Sequence, residues 1–103
     1  DIIAVEAVEG TDRMIARAGE LCKSGGWTMI KVARPEQDPR FDVPTVGPKT
    51  IRNLHAAGCN TLVIQAGMTL IADKPATLEL ADSLKIAVVG KTPAKTDHAK
   101  FTE

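Results

Sequence analysis

A chain of 103 residues with 44% hydrophobic and 25% charged residues has the composition of one globular domain near the commonest domain size. Thirteen basic residues balance thirteen acidic ones, and the aromatics are one tryptophan and two phenylalanines. This excludes a net field drawing the chain onto nucleic acid or an anionic bilayer, and excludes the stacking platforms of a single-strand nucleic-acid binder. No apolar run approaches the roughly 20 residues of a membrane-spanning helix, and no basic segment with a signal-like apolar core opens the chain, so cytosolic residence is expected.

The first element in chain order is an apolar run over residues 2–8, broken only by Glu6, which reads as a strand buried on both faces. Because Asp1 rather than a methionine opens directly on this run, the natural chain is expected to begin further upstream. Glu9-Gly10-Thr11-Asp12 then leads into Met14, Ile15, Ala18, Leu21 and Cys22 at helical spacing, with Thr11 as N-cap and Gly25-Gly26 beyond the end. Residues 28–33 read as a strand, and residues 34–46, with three prolines and many charges, as an irregular loop. Gly47-Pro48 starts a second helix with Ile51, Leu54 and His55 inward, closed by Gly58. Residues 61–66 form a strand, Gly67 turns the chain into a short apolar piece over 69–72, and Asp73-Lys74-Pro75 opens a third helix with Leu78, Ala81 and Leu84 inward. A last buried strand spans 86–89, so residues 1–91 make one domain and 92–103 a polar tail, which includes His98.

Strands alternating with helices imply an α/β domain: a mainly parallel sheet of about four to five strands with three helices packed on it. Ligands of such sheets sit beyond the carboxyl ends of the strands, where both Glu9-Gly10-Thr11-Asp12 and the 34–46 loop emerge. Gly10 and Gly67 make neither a GxGxxG nor a Walker loop, so dinucleotide and P-loop readings are set aside. Cys22 and Cys59 form no CxxC pair and read as packed thiols, and His55 reads as a packing residue because no nucleophile motif accompanies it.

The 34–46 loop far exceeds the usual connection of about 2–6 residues, and Pro35, Pro39, Pro44 and Phe41 argue for a stiffened, functional segment. Asp38 and Asp42 are up to about 13 Å apart if extended and share a site only if the chain turns, as Pro39 permits. Two converging carboxylates repel, and a hard cation such as Mg2+ satisfies them. Lys31, Arg34 and Arg40 bring positive charge to the same edge, where arginine can grip phosphate through paired hydrogen bonds. Acids for a metal and bases for phosphate point to a phosphoryl site; the bland reading is a set of solvated ion pairs such as Arg40 with Asp38. Glu6, a lone carboxylate in an apolar run, is either an exposed strand end or part of a site. Asp12 either complements the helix dipole or stands where the helix N-terminus meets a phosphate.

Three stretches carry a resemblance. They are Val5-Glu6-Ala7-Val8-Glu9-Gly10-Thr11-Asp12, Ile30-Lys31-Val32-Ala33-Arg34-Pro35-Glu36-Gln37-Asp38, and Arg40-Phe41-Asp42-Val43-Pro44-Thr45-Val46-Gly47-Pro48. With Gln65-Ala66-Gly67 they fall in the order and spacing of the LpxI family, so that the chain to about Lys91 resembles the carboxy-terminal domain of an LpxI-type UDP-2,3-diacylglucosamine pyrophosphatase. Arg34 departs from the lysine often found there, keeping charge but altering donor geometry.

The resemblance implies a Mg2+-dependent hydrolase of lipid A biosynthesis that sends water to the α-phosphorus of its substrate and releases UMP and lipid X. Asp42 carries over as the essential residue, with Asp38 and Gln37 next. Asp42 and Asp38 would hold the metal and handle the attacking water, and Lys31 and Arg40 would neutralise growing phosphoryl charge. Thr45, Glu9 and Asp12 are expected substrate contacts. The implied partners are the lipid-linked nucleotide sugar and the protein's own amino-terminal domain, without which little or no activity is expected. A cytoplasmic protein peripheral to the inner membrane follows from the lipid substrate, and a homodimer is compatible. Two other readings compete: a noncatalytic phosphosugar- or nucleotide-binding or regulatory module, whose binding would be metal-independent, and a packing or dimerisation domain bearing exposed apolar patches.

Overall fold

A computed structural model describes residues 1–33 and 43–92. Among these residues the elements run α1 (Thr11–Leu21), β1 (Trp27–Lys31), β2 (Thr45–Val46), α2 (Pro48–Ala56), β3 (Cys59–Gln65), β4 (Leu70–Ile71), α3 (Lys74–Ser83) and β5 (Ala87–Lys91). β1, β3 and β5 form one parallel sheet in that order, and β2 pairs in parallel with β4. The expected α/β domain with three helices and mostly parallel strands is therefore the observed one, the five strands among the described residues being divided between two sheets.

Alternation along the strands sets the layers. Trp27 and Met29 of β1 and Leu62 and Ile64 of β3 are buried, and they join Ile15 and Ala18 of α1, Ile51 and Leu54 of α2, and Ala81 of α3 in one core. The residues between them face the other way: Ile30 lies beside Val63, and Val63 beside Val89. Of this row Ile30 is 68% and Val89 41% exposed, and Val32 beyond it is 57% exposed. One face thus carries the helices, and the other is uncovered among the described residues.

The helices begin and end where backbone chemistry requires. Gly10 precedes α1 at φ +92°, a conformation that resists a side chain, and it takes the N-cap position expected for Thr11. Thr11 is instead the first helical residue. α2 starts on Gly47-Pro48, with Thr50 Oγ1 accepting from the Gly47 amide at 3.1 Å. Complete burial of Ile51 and Leu54 contributes about 1.5–3 kcal/mol each, which makes Leu54→Ala the simplest way to loosen α2. α3 closes with the Ile86 amide on Ala81 O at 2.8 Å and the Lys85 amide on Asp82 O at 3.1 Å, Lys85 taking φ +58°.

Several expectations are corrected. Residues 2–8 are not a strand: Ile2, Val5 and Val8 are 84%, 67% and 103% exposed, and only Ile3 and Ala4 pack against the core. Apolar content alone does not make a strand; a ladder partner does, and no described strand pairs with this segment. His55 is exposed rather than inward, because α2 ends at Ala56 and its last turn is not covered on that side. In α3 it is Thr77, not Leu78, that is buried, with its hydroxyl donating to Ala72 O at 2.6 Å. Cys59 starts β3 rather than sitting in a turn. It is buried as expected, while Cys22 packs half-buried at the end of α1.

Candidate functional site

The carboxyl ends of the strands define the edge where chemistry is expected, and Lys31 stands there as the last residue of β1. It shares the covered face with Trp27 and Met29, so its stem lies toward the helices while its head reaches the edge. There Lys31 Nζ donates to Thr11 Oγ1 at 3.4 Å, and the Thr11 hydroxyl donates in turn to the Glu6 carboxylate. The first turn of α1, the end of β1 and the segment before α1 are thus joined through one hydroxyl. Thr11 was legible only as a cap, and Glu6 only as an anomaly.

Gln65, the last residue of β3, accepts from the Ala33 amide at 3.0 Å, fixing the chain just before the long loop. On the far side, the Pro44 carbonyl accepts from the Leu70 amide at 2.9 Å and the Val43 carbonyl accepts from Thr45 Oγ1 at 3.0 Å. Both ends of the loop are therefore fastened beside the same strand ends, by β3 and by the β4 segment that follows it. Gln37, Asp38, Arg40 and Asp42 lie outside the described residues, as does Arg34.

Two other expected residues hold elements together. Glu9 accepts from Arg17 Nε and Nη2, both at 3.1 Å, and from the Ala7 amide at 3.0 Å, while Arg17 Nη2 also donates to Val5 O at 2.8 Å. The Ala7 amide and the Arg17 guanidinium hold the Glu9 carboxyl below its ordinary range. Asp12 Oδ1 accepts from Asn53 Nδ2 at 3.1 Å and its Oδ2 lies 3.5 Å from Lys49 Nζ, tying α1 to α2 at an exposed position. Thr45 is exposed in β2.

A groove of about 740 Å³ runs between α1 and α2, lined by Asp12, Ile15, Gly19, Lys49, Asn53 and Ala57 among others. Of the expected site residues that are described, it includes Asp12 but not Glu9, Lys31 or Thr45, and among the described residues it is the furrow between two helices. Among the described residues no group of three or more His, Cys, Asp or Glu could hold a metal ion.

The family model described as the LpxI C-terminal domain matches residues 1–89. The UDP-2,3-diacylglucosamine pyrophosphatase LpxI of Caulobacter vibrioides is 35% identical over 99 residues, an alignment that takes in 89% of this chain and 35% of that protein. The chain accordingly spans about a third of the length of the curated relative it matches. A match over most of the chain, together with the EGTD turn and the Lys31 to Gly47 segment, is decisive: the chain belongs to the LpxI C-terminal domain family.

Proposed function

We propose that this chain is the carboxy-terminal part of an enzyme that hydrolyses UDP-2,3-diacylglucosamine to UMP and lipid X, with residues 1–91 as the domain and 92–103 as its tail. The observation that carries the reading is membership of the LpxI C-terminal domain family together with 35% identity to a pyrophosphatase of that name. The substrate's pyrophosphate would lie at the carboxyl edge of the sheet, the usual ligand position of a parallel α/β sheet.

In this reading Asp42 and Asp38 would hold Mg2+, which supplies charge neutralisation at phosphoryl oxygens and a more acidic water. Asp42 orients and deprotonates the attacking water. The water oxygen bonds to the α-phosphorus, the bond from that phosphorus to the bridging oxygen breaks, and lipid X leaves as the 1-phosphate with the bridging oxygen. Lys31, at the end of β1, and Arg40 stabilise the charge that grows on the oxygens around phosphorus. Gln37 and Thr45 contact the substrate around the loop, and Glu9 and Asp12 shape the α1 end of the site. The protein's own amino-terminal domain completes the site, so this chain alone has little or no activity. A cytoplasmic enzyme meeting the inner membrane peripherally suits a lipid-linked substrate; among the described residues no helix is long and apolar enough to cross a membrane.

The test is release of UMP and lipid X by the full-length protein, with and without Mg2+, beside its Asp42→Ala variant. Metal-dependent release that falls at least about 100-fold in the variant supports the reading, a loss in the range expected for a positioned acid–base group. Metal-independent binding of the nucleotide sugar without turnover would replace it with the binding-module reading.

A further inference from the structure

We infer that Thr11 is a positioning residue for Lys31, and that Glu6 fixes the direction in which Thr11 acts. The inference rests on the reading of Lys31 as the group that meets phosphoryl charge. A lysine head on a four-carbon stem is a mobile point charge, and three rotatable donors give it no preferred orientation of its own. Two things in this structure restrict it. The stem leaves β1 on the covered face of the sheet, and the ammonium donates to Thr11 Oγ1 at 3.4 Å.

Thr11 is suited to this because of where it stands. As the first residue of α1, its backbone is fixed by the helix, and its β-branched side chain has few rotamers. A hydroxyl has one hydrogen to give and two lone pairs to offer. The Glu6 carboxylate can only accept while ionised, so it takes the hydrogen, and the lone pairs are what Thr11 presents to Lys31. Without Glu6 the hydroxyl could rotate its hydrogen toward the ammonium, where it would repel. The order Glu6, Thr11, Lys31 is thus polarised from one end, and it links three segments at the sheet's carboxyl edge.

The consequence is that Thr11 should act on turnover only through Lys31. The experiment is steady-state kinetics of the full-length protein on the lipid-linked UDP sugar for Thr11→Val, Thr11→Ala, Thr11→Ser, Lys31→Ala and the Thr11→Val/Lys31→Ala pair, with thermal unfolding of each. Thr11→Val is expected to lower kcat about tenfold with KM within about twofold, because what is lost is an interaction used in the transition state. Thr11→Ser, which keeps the hydroxyl, is expected to retain parental kcat. In the Lys31→Ala background Thr11→Val should cost less than about twofold, since residues acting through one another are not additive. Thr11→Ala, at a helical position that tolerates alanine, gives the same reading if the valine variant does not fold.

An equal loss in both backgrounds, or a serine variant as impaired as valine, overturns the inference and leaves Thr11 a structural residue. A Lys31→Ala loss without a Thr11→Val or Thr11→Ala loss overturns it while leaving the reading of Lys31 intact. Full activity in Lys31→Ala removes that reading and the inference with it.

Discussion

Glu9, expected beside the substrate, also braces the chain around it. Its carboxylate holds Arg17 and the Ala7 amide, fastening the apolar segment before α1 to the helix that follows. The folded carboxyl titrates below the ordinary value of 4.5, so the brace is fully present above that value and is lost as pH falls through the lowered one. Hydrogen exchange at the Ala7 amide is therefore expected to stay slow from neutral pH down to the ordinary carboxylate range and to quicken below it, after correction for intrinsic rates. In Glu9→Ala, which removes the acceptor, it should be fast throughout; a slow Ala7 amide in that variant would show that the brace is not what protects it. The sequence held Glu9 in view, but nothing in it showed that a residue before α1 meets Arg17 within that helix.

Among the elements, the three helices were legible because their apolar positions recur at helical spacing and Gly or Pro marks their ends: Gly25-Gly26 after α1, Pro48 at the start of α2, Pro75 in α3. Contacts between helices were not legible. Gly19 sits in α1, where a glycine ordinarily costs about 1 kcal/mol against alanine. Here a Cβ would stand 2.9 Å from both the Cβ and the carbonyl oxygen of Ala57, so the glycine allows α1 to approach the end of α2. Gly19→Ala is expected to destabilise by about 1–3 kcal/mol, the overpacking cost outweighing the propensity gain, and chemical denaturation can check it. A more stable variant would mean that the two helices can separate freely. The failed strand over residues 2–8 has the same origin, since strand formation depends on a distant partner and not on local composition.

At the level of the whole molecule, the parallel sheet was legible from alternation of strands and helices, and the carboxyl edge followed as the place for ligands. The site was legible only as residue types. Lys31 could be named from its motif, whereas its link through Thr11 to Glu6 depends on how α1 returns to β1. The sheet face left uncovered among the described residues was not legible either, because Ile30 and Val63 read simply as strand residues and Val89 as part of a buried strand. Parallel sheets are ordinarily covered on both faces, so this chain by itself is expected to bind the dye ANS and to self-associate as its concentration rises. Ile30→Thr with Val89→Thr should shift sedimentation toward the monomer, and an unchanged profile would place the self-association elsewhere. The parallel order β1, β3, β5 has a consequence for how the chain acquires its shape. Among the described residues no hairpin offers a local start, since each strand must wait for a whole helix to emerge before its neighbour exists, and loop closure precedes any reward from pairing. Because β3 joins beside β1 and β5 beside β3, assembly of this sheet can keep pace with synthesis from the amino end, and β5, the last described strand to emerge, becomes its edge.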